Sequence, residues 1–328
     1  MTRPETDERA PAFLQNPAWP RPPATAAYYQ AVPLRPSVRS LVLAAGLFLL
    51  TLFTSLIAGA HFSAAYAHNQ AASFDAFLQT FRLAYLHPSF LLTGLPFAVT
   101  LLIILLAHEL GHYFACRHHH IYSSYPFFIP APTLIGTFGA FLLIRSPIRS
   151  ARALFDVGAS GPFVGFVFAL PALAYGVLHA RIIPALNLDP NADVVFGVPL
   201  ILKLVAAVLQ PNAHASDLLL HPVGRAAWVG LFATALNLLP VGQLDGGHIV
   251  RSVSPRAHRW ISLLLPLVLL PLGIFLWKGW LIWAAILLGV RFFRMPPIYD
   301  PIPLDPNRRF GAFLALVVFI LCFMPSPI

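Results

Sequence analysis

The sequence predicts an all-α polytopic membrane protein of about seven transmembrane helices, and three observations predict it. Of 328 residues, 58% are hydrophobic and only 10% charged, with a mean hydropathy of +0.74, far more apolar than a soluble globular domain. Stretches able to cross ~30 Å of hydrocarbon, allowing some tilt and short breaks, recur near 38–60, 96–116, 157–179, 224–247, 260–277, 279–293 and 310–325. The basic residues alternate between successive connections, as the positive-inside rule requires of a multispanning chain.

The N-terminal stretch 1–37 is Pro-rich and mixed in charge, which suits a disordered cytoplasmic arm. Its Glu5, Asp7 and Glu8 argue against a transit peptide. Arg35 and Arg39 precede the first helix, whereas the outside loop after it, to residue 90, carries Arg82 and little else that is basic; the N-terminus is therefore expected in the cytoplasm. Arg117, Arg145, Arg149 and Arg152 then fall in one inside loop, Arg251, Arg256 and Arg259 in the next, and Arg291, Arg294, Arg308 and Arg309 in the last. Basic clusters beside anionic headgroups account for the formal charge of +9 and the pI near 10.1, so the bilayer is the implied partner and nucleic acid is not.

The second helix ends in "HELGH", residues 108–112. His108 and His112 are four apart and project from one helix face, one turn from each other. That spacing lets two imidazoles hold one Zn²⁺ while Glu109 takes a proton from the attacking water. Ionisable groups in a membrane helix persist mainly where they pair, bind an ion or line a polar cavity, and here three occur together. A catalytic zinc needs a third protein ligand, and Asp245 is the best candidate, in "NLLPVGQLDGGHIV", residues 237–250, after an uncharged run from Ala226 to Leu244. His112 lies five residues before Arg117 and Asp245 six before Arg251, so helical geometry puts them roughly 8 and 9 Å from the cytoplasmic ends of their segments, at one level. Pro240, Gly242, Gly246 and Gly247 are expected to break the helix there, which hydrocarbon tolerates where backbone lines a watery cavity.

The pair of motifs, HExxH in one span and Asn237-x-x-Pro240-x-x-x-Leu244-Asp245-Gly246 in a later one, resembles the site-2 protease family of intramembrane zinc metalloproteases. The resemblance covers residues 91–255, the catalytic core by this reading, with 38–90 before it and C-terminal transmembrane helices at 256–328. It implies one zinc per chain held by His108, His112 and Asp245, with Glu109 as acid and base, and cleavage of a transmembrane protein or peptide substrate within the bilayer. It also implies an active site toward the cytoplasmic side of a bacterial inner membrane. The segment "GTFGAFLLIRS", 136–146, is similar to that family's membrane-embedded β-hairpin or re-entrant loop, expected here near 133–146. Gly136, Thr137, Phe138 and Gly139 would then offer substrate a strand edge, or else only pack. Asn237 either orients substrate or site, or bonds between helices.

Other features read more simply. Gly161 and Gly165, in "GASGPFVGF", fit close helix packing. The triplet His118–His120 fits a solvated interfacial patch, His248 could shadow the third-ligand role, and Cys116 and Cys322 are too few for a thiolate metal site. Two other functions compete. A metal-ion or proton transporter could use the same His/Glu/Asp cluster, but transport favours polar groups on both sides of the midplane. A purely structural zinc site would not need Glu109.

Overall fold

The computed structural model describes residues 37–148, 150–184, 194–290 and 303–328. The predicted arm up to residue 36, Arg149, residues 185–193, Arg291 and Arg294 lie outside them. The chain runs α1 (Val38–Ala67), α2 (Phe74–Leu86), a 3₁₀ segment (Pro88–Gly94), α3 (Leu95–His118), β1 (Phe127–Pro130), β2 (Thr137–Phe141) and α4 (Ala151–Leu178). It continues with β3 (Arg181–Ile182), α5 (Leu200–Leu209), β4 (Leu218–Leu219), α6 (Pro222–Asn237), α7 (Asp245–Val253), α8 (Pro255–Phe275), α9 (Gly279–Val290) and α10 (Pro306–Cys322).

Polar caps punctuate these apolar helices. Ser37, Ser73, Ser150 and Ser254 each accept a backbone N–H at the start of α1, α2, α4 and α8, and Asp305 caps α10. Among the described residues four segments are long and apolar enough to cross a membrane: Val38–Ala67, Pro88–His118, Ala151–Leu178 and Pro255–Phe275. The other three predicted spans fall on α6 with α7, on α9 and on α10, which are shorter. The expected span 224–247 is interrupted: α6 ends at Asn237, residues 238–244 form a turn with Gly242 at φ 56°, and α7 begins at Asp245. Pro240, which lacks the N–H a helix needs, lies inside that turn.

The predicted hairpin is present but begins earlier than 133. β1 and β2 pair antiparallel, Phe127 with Phe141 and Phe128 with Ala140, and a bulge precedes the Pro130–Thr137 pair. A Ser123–Ile144 bridge and the Arg145 N–H to Tyr122 carbonyl bond extend the ladder at its open end. The first strand, "FFIP", escaped the sequence reading because its apolar and proline residues carry no alternation. β1 lies against α1, where Gly136, at φ 81°, lets the turn meet the backbone of Ser55. The other edge of β2 pairs with no strand among the described residues.

α4 is the hub, packed against α3 on one side, α6 and α7 on another, and α10 near its N-terminal end. Lipid is as apolar as leucine, so helices in it associate by close van der Waals fit rather than by escape from water. One such close fit is between Gly176 of α4 and Gly224 of α6, where a Cβ on Gly176 would stand 2.1 Å from the Gly224 Cα. By contrast a Cβ on Gly46 of α1 meets nothing within 4 Å. Gly224→Leu should therefore lower the unfolding midpoint in detergent by an amount equivalent to about 2 kcal/mol or more, and Gly46→Leu should leave it near the wild-type value.

Candidate metal centre

α3 carries His108, Glu109 and His112 into the middle of this packing, and all three are buried. The break after α6 lets the chain turn back so that Asp245, in the first turn of α7, reaches the same point. The carboxylate there also faces the positive end of the short helix. Its Oδ2 lies 3.3 Å from His108 Nε2 and 3.3 Å from His112 Nε2, and the two imidazole nitrogens are 3.1 Å apart. Among the described residues this trio forms a group whose ligand atoms could hold a metal ion.

The trio fits an ion on geometry and on chemistry. A tetrahedral ion with nitrogen and oxygen donors at ~2.0–2.1 Å holds them about 3.3 Å from one another, which is the spacing seen. His112 Nδ1 is 2.7 Å from the Val157 carbonyl of α4; as donor to that oxygen it leaves the Nε2 lone pair free for a ligand bond. Three electron-rich atoms converging in a buried site repel one another unless a cation sits between them.

Small residues make the room. A Cβ on Gly161 would lie 2.1 Å from His112 Nε2, and one on Gly165 would lie 3.1 Å from His108 Cβ, so the predicted close packing is aimed at the two imidazoles. Across the turn, a Cβ on Gly246 would stand 2.0 Å from the Leu238 carbonyl oxygen. α8 clamps the same turn: the Gly242 N–H donates to Ser262 Oγ at 3.2 Å, and the Gly242 carbonyl lies 3.1 Å from His258 Nε2.

Glu109 and Asn237 border the trio. Asn237, the last residue of α6, places Nδ2 3.2 Å from His108 Nε2, the nitrogen that would bind the ion. Two cavities meet there. One of about 180 Å³ is lined by His112, Ala140, Phe141, Leu142, Gln243, Asp245 and His248, and one of about 100 Å³ by Ile104, Phe138, Gly139, Ala233 and Trp283; both reach His108, Glu109, Ala140 and Asn237. Of the predicted edge residues, Phe138 and Gly139 thus face the site. Thr137 does not: its hydroxyl donates to the Ile129 carbonyl and stays inside the hairpin, and Gly136 packs on α1. His248 lines the larger cavity with a buried Nδ1 that has no partner, but it is not one of the three converging groups.

The His118–His120 triplet departs from the solvated patch expected. His118 and His120 are exposed, but His119 Nε2 lies 2.8 Å from Asp156 Oδ2, and Arg308 grips the same carboxylate through Nε at 2.8 Å and Nη2 at 2.6 Å. Sequence reasoning missed this knot because its members are 37 and 152 residues apart. It also missed Val157, whose contribution is a backbone carbonyl that any residue supplies.

The sequence model of peptidase family M50 matches residues 96–263, more than half of the chain and the whole of this site. The chain belongs to peptidase family M50. It is 32% identical over 240 residues to "Probable zinc metalloprotease EGY1, chloroplastic" of Oryza sativa, covering 72% of this chain and 41% of the relative. The protein of the same name from Arabidopsis thaliana is 32% identical over 236 residues, covering 71% and 43%. "Probable zinc metalloprotease EGY2, chloroplastic" of that plant is 28% identical over 239 residues, covering 71% and 42%. The matched region thus spans about two-fifths of the length of these relatives, and no solved structure matches. Their names are chloroplastic, which does not fit the expected bacterial inner membrane; the apolar helices support an integral membrane protein.

In this M50 chain Gly161→Ala should press its methyl group onto His112 and weaken metal binding about 10–100-fold, measured by chelator competition. Gly165→Ala, with a contact 1 Å looser against a side-chain carbon, should weaken it less.

Proposed function

We propose that the chain is a zinc-dependent endopeptidase that hydrolyses a peptide bond in or near the transmembrane segment of a membrane protein. The convergence of His108, His112 and Asp245 beside a buried Glu109 carries this reading. Zinc is the ion that two imidazoles and one carboxylate in a tetrahedral arrangement suit best, and it is named in the relatives. On this reading the catalytic segment is 91–255 and the site lies toward the cytoplasmic side, as the distribution of basic residues suggests.

When bound, zinc would acidify water and polarise the scissile carbonyl. Every other task falls to the chain. Glu109, held beside the ligands on α3, takes a proton from the attacking water and passes it to the leaving amine. The Asn237 amide, aimed at the same point, is placed to donate to the carbonyl oxygen as charge develops on it. β2 offers its unpaired edge to an extended segment of substrate, so that the backbone bonds a transmembrane helix loses on unwinding are replaced in a site without lipid. The buried walls keep bulk water out while the cavities beside Glu109 leave space for the water consumed.

Glu109→Gln in proteoliposomes should bind zinc normally, by elemental analysis, and cleave transmembrane peptides at least about 100-fold more slowly. Asp245→Asn and His112→Ala should lose the zinc as well. Equal cleavage by wild type and Glu109→Gln, or wild type free of metal, would sink the protease reading and turn attention to ion transport.

A further inference from the structure

The smaller of the two cavities at Glu109 has a composition the reaction itself does not require. Ile104, Leu105, Phe138, Ala233, Leu236 and Trp283 form its walls, and its polar groups, His108, Glu109 and Asn237, stand where it opens onto the metal centre. Thr234 adds no polarity, because its hydroxyl already donates to the Gly230 carbonyl at 2.9 Å. The pocket is therefore an apolar recess whose open end is the reacting centre. Its side of the membrane follows from α3: Ile104 and Leu105 precede His108 by one turn, away from the cytoplasmic end marked by Arg117. The larger cavity lies on the other side of Glu109 and is lined by Gln243, Asp245 and His248. A strand laid along β2 would pass from Phe138 to Leu142, and so from the first recess to the second across Glu109.

We propose that this recess selects the substrate residue on the membrane side of the cleaved bond, accepting an aliphatic side chain up to leucine and rejecting aromatic and charged ones. The inference rests on the protease reading above. Size decides the upper limit: at about 100 Å³ the recess is smaller than an apolar cavity of ~150 Å³ that takes up benzene, yet it exceeds several times the ~10–15 Å³ that holds one water. Chemistry decides the rest, since a charged side chain would lose its hydration against six apolar walls with no partners except His108, Glu109 and Asn237, which the reaction uses. The cytoplasmic-side cavity, about 180 Å³ with an amide, a carboxylate and an imidazole in its lining, imposes neither limit.

The test is a set of transmembrane peptides in proteoliposomes, identical except for Ala, Val, Leu, Phe, Trp or Asp at one or other residue flanking the cleaved bond. Wild type should favour Val or Leu over Trp and Asp by about tenfold or more in kcat/KM at one flanking position and discriminate far less at the other. Ala233→Leu, which shortens the recess, should move the optimum to Ala, and Trp283→Ala, which opens it, should admit Phe. Zinc content, measured in parallel, shows whether each variant keeps its site. Cleavage with no preference at either position, or two zinc-loaded variants with the wild-type profile, would overturn the inference and leave the protease reading standing. Wild type that binds zinc and cleaves none of the peptides would overturn both.

Discussion

The approach of α4 to α3 is the contact on which the centre depends. At Gly111 the two backbones are so close that a Cβ would stand 2.7 Å from the Ser160 carbonyl oxygen, and the next residue of α4, Gly161, leaves space for the His112 ring and nothing more. Contact this tight excludes lipid and brings the Val157 carbonyl within reach of His112 Nδ1. One pair of backbones thereby fixes the ring's position and supports the tautomer that leaves its outer nitrogen free for an ion. Larger residues on α4 would separate the helices and leave two imidazoles and a glutamate facing hydrocarbon, where each is costly.

The second half of the centre depends on a helix that stops. A continuous helix through 222–253 would carry Asp245 more than two turns beyond Asn237, roughly 12 Å along the axis. The turn at 238–244 cancels that advance, so Asn237 and Asp245 both reach His108. Breaking a helix in a membrane frees backbone groups, and these are met locally: Val241 N–H by the Leu239 carbonyl, Gly242 by Ser262, and His248 N–H by the Leu244 carbonyl. The clamp from α8 thus does for Asp245 what Val157 does for His112.

These parts were unequally visible in the sequence. The ligands could be read because their chemistry is rare in an apolar chain and because four-residue spacing has one meaning on a helix; Pro240 announced the break for a similar reason. The small residues of 158–166 signalled close packing but not its target, since a glycine states how near something comes and not what it is. β1 and the unequal roles within 136–139 were hidden, because which edge of a short hairpin faces the site is set by its packing on α1, a contact some 80 residues apart in the chain. The shorter helices α9 and α10 read as spans by composition, and among the described residues they are 12 and 17 residues long.

The knot of His119, Asp156 and Arg308 bears on the centre through its position. Half-buried ion pairs such as these keep part of their contact with solvent, so their energy is a poor measure of their use. Asp156 directly precedes Val157. The paired bonds from Arg308 hold its carboxylate in one orientation, and Arg308 is in turn bound to Asp305, the cap of α10. His119, the residue that caps α3 about two turns beyond His112, also binds this carboxylate. The register between α3 and α4 is thus pinned by charge at the C-terminal end of α3, next to the residue whose carbonyl pins it by hydrogen bond inside. A sliding of one helix past the other by even a fraction of a turn would have to break both together, which is how two contacts of modest strength can hold a metal centre rigid in a fluid bilayer.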